Sequence, residues 1–270
     1  MAEKADTAID WKEESMRFNG VAERYDAYRP SYPVELIDTV IKQSGIQPDG
    51  RILEIGSGTG KATILFAQRG FSILGLDPGQ KLIEVAAENL KSYAQVSFKR
   101  TRFEDWESGK AEFDLAISAQ AFHWVPEEVR LAKTAKVLKG GGFLALFWNM
   151  YPGIEGELGR DLNRVYRRLV PDMAKPNRPS EQLHSRRARS LSEGGYFEDA
   201  TVKTYRWSVR YEKSAYLGLL HTYSDHLRLA EAQRLALFGE IAAVIEGHGG
   251  IIDRPYVAAL YMARKRTTNT

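Results

Sequence analysis

The chain has 270 residues, of which 43% are apolar and 27% charged, with a formal net charge of +3. That length and composition fit one packed α/β domain with a cap, and exclude a disordered chain. A charge so near balance lacks the strong positive field that draws proteins to a phosphate backbone, which counts against nucleic acid as partner. The absence of cysteine excludes disulfides, thiolate metal sites and cysteine nucleophiles. Met1-Ala2-Glu3-Lys4 opens no apolar leader, and no apolar run approaches the roughly 20 residues that span a bilayer. The expectation is a cytoplasmic protein with no membrane partner, either monomeric or homodimeric.

Residues 1–50 read as one or two helices around the corner Arg29-Pro30-Ser31-Tyr32-Pro33, where each proline holds its predecessor extended. From Arg51 to Asn149 short apolar runs alternate with amphipathic stretches, the pattern of a parallel sheet covered on both faces. Strands are predicted at Ile52 to Ile55, Phe71 to Asp77, Val96 to Lys99, Phe113 to Ser118 and Phe143 to Asn149. Helices are predicted at Lys61 to Gln68, Gln80 to Leu90 and Glu127 to Leu138. Gly70 and the run Gly140-Gly141-Gly142 are expected to stop helices. Past Asn149 the alternation breaks, and Leu158, Leu162, Val165 and Leu169 keep helical spacing before a stretch rich in arginine. Arg160, Arg164, Arg167, Arg168, Arg178, Arg186, Arg187 and Arg189 read as a solvated face, with selection of an anion as the alternative. Strand character returns at Ala200 to Tyr211 and Arg254 to Arg264, with helices at Ser214 to Leu229 and Glu231 to Gly247 between them.

The run Leu53-Glu54-Ile55-Gly56-Ser57-Gly58-Thr59-Gly60 carries a buried strand straight into a glycine loop and a helix. Glycine there lets backbone pass close under a ligand that side chains would strike. The spacing is GxGxG, one residue short of the dinucleotide fingerprint GxGxxG, and Glu54 stands where a dehydrogenase keeps an apolar residue. About twenty residues on, Asp77 ends the next strand beside Pro78, where its carboxylate reaches two ribose hydroxyls. A plain turn and a helix cap are the alternatives for the loop and for Asp77.

Taken as a set, these residues resemble motifs I and II of the class I S-adenosylmethionine-dependent methyltransferases. The resemblance implies a Rossmann-like doubly wound α/β fold, with seven strands of which the last is antiparallel. It implies residues 1–50 closing over the cofactor, a cofactor-binding core at 51–150, a helical cap at 151–196, and the rest of the sheet at 197–270. It also implies S-adenosyl-L-methionine as cofactor: Glu54 ordering its methionine end, Gly56, Ser57, Gly58 and Gly60 lying against it, and Asp77 with Pro78 at the ribose. Arg102, Phe103 and Glu104 take the adenine position. Ser118-Ala119-Gln120-Ala121-Phe122-His123-Trp124, at the end of the fourth strand, resembles the Gln-Ala-Phe-His-Trp motif of a small-molecule subgroup that includes trans-aconitate methyltransferases. That places Ser118 and Gln120 at the cofactor, and by the same likeness Tyr25 and Arg29 bind the methionine carboxylate.

The acceptor end is expected at Phe122, His123, Trp124, Trp148, His221 and Tyr223, beside a polar stretch that also holds Asp225 and His226. His123 is the candidate general base for a hydroxyl or acidic carbon, while a carboxylate acceptor needs no base. The alternative is a His123-Trp124 pair that caps the strand and packs on the next helix. No metal is expected. Strand four lacks the Asn/Asp-Pro-Pro-aromatic motif with which many N-methyltransferases hold a planar amino group. Methyl transfer to a small molecule, at an oxygen of a carboxylate- or hydroxyl-bearing metabolite, is therefore preferred over an RNA or protein acceptor, or an inactive cofactor-binding partner protein.

Overall fold

Successive side chains of a strand point to opposite faces, and this chain fills both. Leu144, Leu146 and Trp148 join one core, while Ala145 and Phe147 join the other. The computed structural model describes residues 20–109, 111–174 and 181–267; Phe18 and the rest of 1–19, and Arg178 of the arginine stretch, lie outside them. Seven strands form one sheet: β1 Arg51–Ile55, β2 Ser72–Asp77, β3 Val96–Arg100, β4 Phe113–Ala119, β5 Leu138–Met150, β6 Thr201–Glu212 and β7 Ile251–Arg264. Their order is β3-β2-β1-β4-β5-β7-β6. Neighbours are parallel except β7, which runs antiparallel to β5 and β6. This is the expected Rossmann-like doubly wound sheet with its last strand reversed. The chain reverses its direction of winding between β1 and β4, so a crevice opens past their carboxyl ends.

The helices are α1 Ala22–Tyr28, α2 Val34–Ser44, α3 Thr63–Ala67, α4 Gln80–Asn89, α5 Glu127–Val137, α6 Gly156–Leu169, α7 Glu181–Ser192, α8 Lys213–Leu220, α9 Ser224–Leu227 and α10 Glu231–Gly247. Leu36, Ile37 and Val40 of α2 and Phe66 of α3 cover one sheet face. Leu131 and Ala135 of α5 and Leu191 of α7 cover the other.

Two elements differ from the sequence reading. The run Gly140-Gly141-Gly142 does not stop α5, which ends at Val137, but lies inside β5. Leu138 pairs with Phe113 and Phe143 with Leu115, so the residues between loop out as a bulge in which Gly141 takes φ 75°. The predicted helix from Ser214 to Leu229 breaks after Leu220 and resumes at Ser224. Thr222 Oγ1–H bonds back to the Leu219 carbonyl at 2.6 Å, Tyr223 is extended (φ −84°, ψ 130°), and the Thr222 carbonyl turns to another segment.

A third core lies above the crevice, where Leu162 and Val165 of α6 meet Tyr216, Leu219 and Leu220 of α8 and Leu237, Ile241 and Ile245 of α10. Of the expected unit 151–196, α6 belongs to this cap, whereas α7 packs on the sheet through Leu191. The short helix α1 closes the cap. Gly218 of α8 lies so near it that a Cβ there would sit 2.4 Å from the Tyr28 ring. Tyr211 Oη–H also donates to the Tyr28 carbonyl at 3.3 Å.

That contact makes a test of how α1 is held. Gly218→Ala overpacks the α1–α8 seam, at a cost of about 1–3 kcal/mol. The melting temperature should fall by several degrees, and amide exchange across residues 22–28 should quicken while the sheet stays protected.

Candidate active site

A cleft of about 1190 Å³ opens at the carboxyl edge of β1, β2 and β4, roofed by the cap. The loop after β1 reaches it in a left-handed zigzag, with Gly56 at φ 77°, Gly58 at φ 54° and Gly60 at φ 83°. The Gly56 and Ser57 amides bond to the Leu76 carbonyl, which fastens the loop to the end of β2. A Cβ on Gly56 would lie 2.3 Å from the Ala121 Cβ, whereas one on Gly58 would meet nothing within 4 Å. The first glycine thus makes room for protein, and the second leaves open space.

Two buried carboxyl groups lie beside this loop. Asp77 accepts the Gly58 amide on Oδ2 at 2.9 Å and the Gly79 amide on Oδ1 at 2.8 Å, leaving lone pairs free on the cleft side. Burial nevertheless pushes its pKa up to about 6. Glu54 sits behind the loop, 1% exposed, with Oε2 accepting Thr63 Oγ1–H at 2.5 Å and Oε1 buried without a partner. Burial, opposed by the Thr63 bond and aided by the Asp77 charge, pushes its pKa up to about 8.

The cleft wall also holds a buried cation. Arg29, just past α1, donates Nε–H to Thr222 Oγ1 at 2.8 Å, Nη2–H to the Thr222 carbonyl at 2.7 Å and Nη1–H to Tyr151 Oη at 3.0 Å. Its guanidinium lies 4.3 Å from the Tyr223 ring centre and 5.2 Å from that of Tyr25. These fixed partners are neutral, and two of its five N–H donors remain for a ligand. Gln120 ends β4 at φ 63°, a strained conformation for a residue with a side chain, and donates Nε2–H to the same Tyr151 hydroxyl at 3.2 Å.

Residues 52–142 match the methyltransferase domain family. The matched segment runs from β1 into β5, and so holds the glycine loop and Asp77. An uncharacterized methyltransferase of Mycobacterium bovis is 33% identical over 135 residues, which are 50% of this chain and 53% of that protein. A probable S-adenosylmethionine-dependent methyltransferase of Saccharomyces cerevisiae is 29% identical over 133 residues, 47% of this chain and 45% of that one. The chain spans about half the length of these relatives. A candidate type II methyltransferase structure from Anaeromyxobacter dehalogenans superposes with a TM-score of 0.63 at 23% identity, over 88% of this chain and 98% of that one, a likeness of fold.

Within and around the matched segment, the cleft wall includes Tyr25, Arg29, Gly56, Gly58, Asp77, Pro78, Arg102, Phe103, Glu104, Gln120, His123, Trp124 and Tyr223. Other expected site residues stand behind that wall. Ser118 Oγ–H donates to the Ile55 carbonyl at 2.6 Å and ties β4 to β1. Glu54, Ser57 and Gly60 support the loop from beneath rather than lining the cleft. Three expected acceptor contacts need correction. Phe122 is 3% exposed in the core under β4, Trp148 packs on Tyr261 with Arg187 across its ring, and His221 turns its ring edge to Phe238. Hydrophobic packing claims all three away from the cleft.

His123 does face it. Trp148 Nε1–H points at its Nδ1 from 3.5 Å, which leaves the imidazole proton on Nε2. Burial, with the Arg187 and Arg130 charges, pushes its pKa down to about 4. Sequence reasoning did not reach Tyr166, Arg206 and Arg254 as cleft residues. Tyr166 shares its helix face with Leu162, Val165 and Leu169, and reads as one more core position until the fold is known.

The carboxyl pair gives the folded protein a signature in pH. A Glu54 held near 8 against an ordinary value of 4.5 means that the folded chain retains a proton the unfolded chain has lost. Stability is then greatest below the unfolded value and declines as pH rises toward 8, with Asp77 adding in the lower part of the window. The melting temperature of the ligand-free protein should drop by several degrees between pH 5 and 8.5, and Glu54→Gln should flatten that slope. In the loop, Gly56→Ala should unfold far more readily than Gly58→Ala, which pays only a left-handed strain of about 1 kcal/mol.

Proposed function

We propose that the protein is an S-adenosylmethionine-dependent methyltransferase acting on a small molecule, with the methyl passing to an oxygen of a carboxylate- or hydroxyl-bearing metabolite. The observation that carries the reading is the Arg29 fork, a guanidinium with neutral hydrogen-bond partners in the wall of a cleft that Asp77 also lines. An amino-acid carboxylate suits the first and a ribose diol the second.

The residues present fit that cofactor. Glu54, with Oε1 unpartnered beneath the loop, would supply negative charge for its ammonium and sulfonium groups on giving up its proton. Gly58 leaves space where a ligand crosses the backbone. Pro78, Leu82 and Phe103 form an apolar slot beside Asp77 for a purine, edged by Arg102 and Glu104. When bound, the cofactor supplies a methyl group on a sulfonium, which leaves without its bonding electrons.

The chain's own task is then alignment and exclusion of water. Arg29 with Tyr25, and Gln120 through Tyr151, hold one end of the ligand, and Asp77 holds the other. The fixed span between them sets where the methyl faces the acceptor. His123, of low basicity and with its proton on Nε2, serves as a donor to an acceptor oxygen rather than as a base. The tyrosine-walled remainder of the cleft, with Tyr151, Tyr166, Tyr216 and Tyr223, suits a small ligand beneath the cap.

Calorimetry should show S-adenosylmethionine and S-adenosylhomocysteine binding in the micromolar range typical of such cofactors, with Asp77→Ala and Arg29→Met each weakening both at least about tenfold. Affinity for S-adenosylmethionine should rise from pH 5 to 8.5 as Asp77 and Glu54 give up their protons. Failure of the wild-type protein to bind either compound would overturn the assignment.

A further inference from the structure

Three side chains on the acceptor side of the cleft form a continuous hydrogen-bonded line. Asp225 Oδ1 accepts from His226 Nδ1 at 2.7 Å, and His226 Nε2 meets Tyr166 Oη at 2.9 Å. The line crosses from α9 to α6, sixty residues away in sequence. His226 is 5% exposed, and all three residues contribute to the cleft wall. The array stands one ring beyond the Arg29 fork, since the Tyr223 ring that carries the guanidinium at 4.3 Å lies 5.7 Å from the imidazole.

The proton positions follow from donor and acceptor chemistry. An ionised Asp225 can only accept, so His226 Nδ1 carries the proton and Nε2 holds a lone pair. Tyr166 must then donate its hydroxyl proton inward to Nε2, and its oxygen faces the cleft as an acceptor. A phenol turned this way asks for a ligand that brings a proton of its own.

Nearby, Arg254 lines the cleft and has only the Pro152 carbonyl, at 2.7 Å, and the faces of Tyr151 and Tyr256 as partners. No carboxylate neutralises it among the described residues. Its guanidinium calls for an anionic group on the ligand.

Building on the methyltransferase reading, we infer that Tyr166, His226 and Asp225 are a general-base relay for an acceptor hydroxyl, and that the acceptor is a hydroxy acid whose anionic group lies at Arg254. The hydroxyl proton passes to Tyr166 Oη as the Tyr166 proton passes to His226 Nε2. The acceptor oxygen forms its bond to the methyl carbon, the carbon–sulfur bond breaks, and its electron pair stays on sulfur. The positive charge that began on the sulfonium ends on the imidazolium, where Asp225 balances it. Tyr166 is the catalytic residue, while His226 and Asp225 act through it as positioning residues.

The test has two arms. Nitrogen-15 NMR of the wild-type protein should show His226 protonated on Nδ1 and bare on Nε2, and Asp225→Asn should erode that preference; protonation of Nε2 in the wild type would overturn the relay. In the second arm, aromatic and aliphatic hydroxy acids are offered with labelled S-adenosylmethionine, each beside the same acid lacking the hydroxyl. Alkali-stable ether products are expected, and Tyr166→Phe should lower kcat about 100-fold with KM and cofactor affinity little changed. Ester formed equally from the acids without hydroxyl, turnover of no acid by a protein that binds cofactor, or an unchanged kcat in Tyr166→Phe would each overturn the proposal. Loss of cofactor binding by the wild type would instead overturn the methyltransferase reading beneath it.

Discussion

The guanidinium of Arg29 is the point at which separate parts of the chain are made to agree. It reaches Thr222 at a break 193 residues away, and Tyr151 just past β5, which in turn accepts from Gln120 at the end of β4. A charged group inside a protein needs its donors satisfied, and here carbonyl and hydroxyl oxygens do that without neutralising it. The break after α8 has its physical reason in this bond, because a carbonyl engaged in a continuous helix would be less free to turn to Arg29. Placement of α1, the kink between α8 and α9 and the strained backbone of Gln120 all converge on one cation kept available in the cleft.

The cleft therefore holds acids and cations of different behaviour before any ligand enters. Burial raises the pKa values of Asp77 in its wall and Glu54 behind the loop, while Arg29 and Arg254 in the wall stay charged. A low local dielectric strengthens any pairing with complementary charge, and it makes the unpaired state of each group costly. The ligand-free protein keeps this arrangement by protonating its acids, since Glu54 can hold a proton near neutral pH whereas a guanidinium cannot shed one. Ionisation can therefore respond to a ligand at the two acids and not at the two guanidinium groups.

The sheet and the loop were legible in the sequence because their constraints are local. Leu53 to Gly60 carry strand, turn and helix start within eight residues, and Asp77 ends the very next strand, so βαβ geometry alone brings them together. The cap was not legible in the same way. Leu220-His221-Thr222 contains neither glycine nor proline, and the helix break there depends on an arginine near the other end of the chain. The Gly140 run looked like a helix stop because glycine serves stops and bulges alike, and only the pairing of Phe113 with Leu138 and Leu115 with Phe143 separates them. Phe122 and Trp148 were expected at the site because aromatic residues at a strand end serve either a core or a pocket, and the packing under β4 and β5 decides for the core.

A fold of this kind can host many reactions, and what distinguishes this chain lies in the cap. The family match ends at residue 142, and the cap comes from α1, α6 and α8–α10, all of which lie outside it. Tyr166 comes from the helix after β5 and its partner His226 from the segment between β6 and β7, so neither insertion completes the Tyr166–His226 pair alone. Their pairing requires the third core of Leu162, Val165, Leu220 and Ile241 to pack as a unit. The same hydrophobic contact that forms the cap therefore also sets the hydrogen-bond geometry of Tyr166 and His226 in the cleft wall. Substitutions in that core would disturb the Tyr166–His226 pair and leave Asp77 and the glycine loop standing, because β1 and β2 hold those instead.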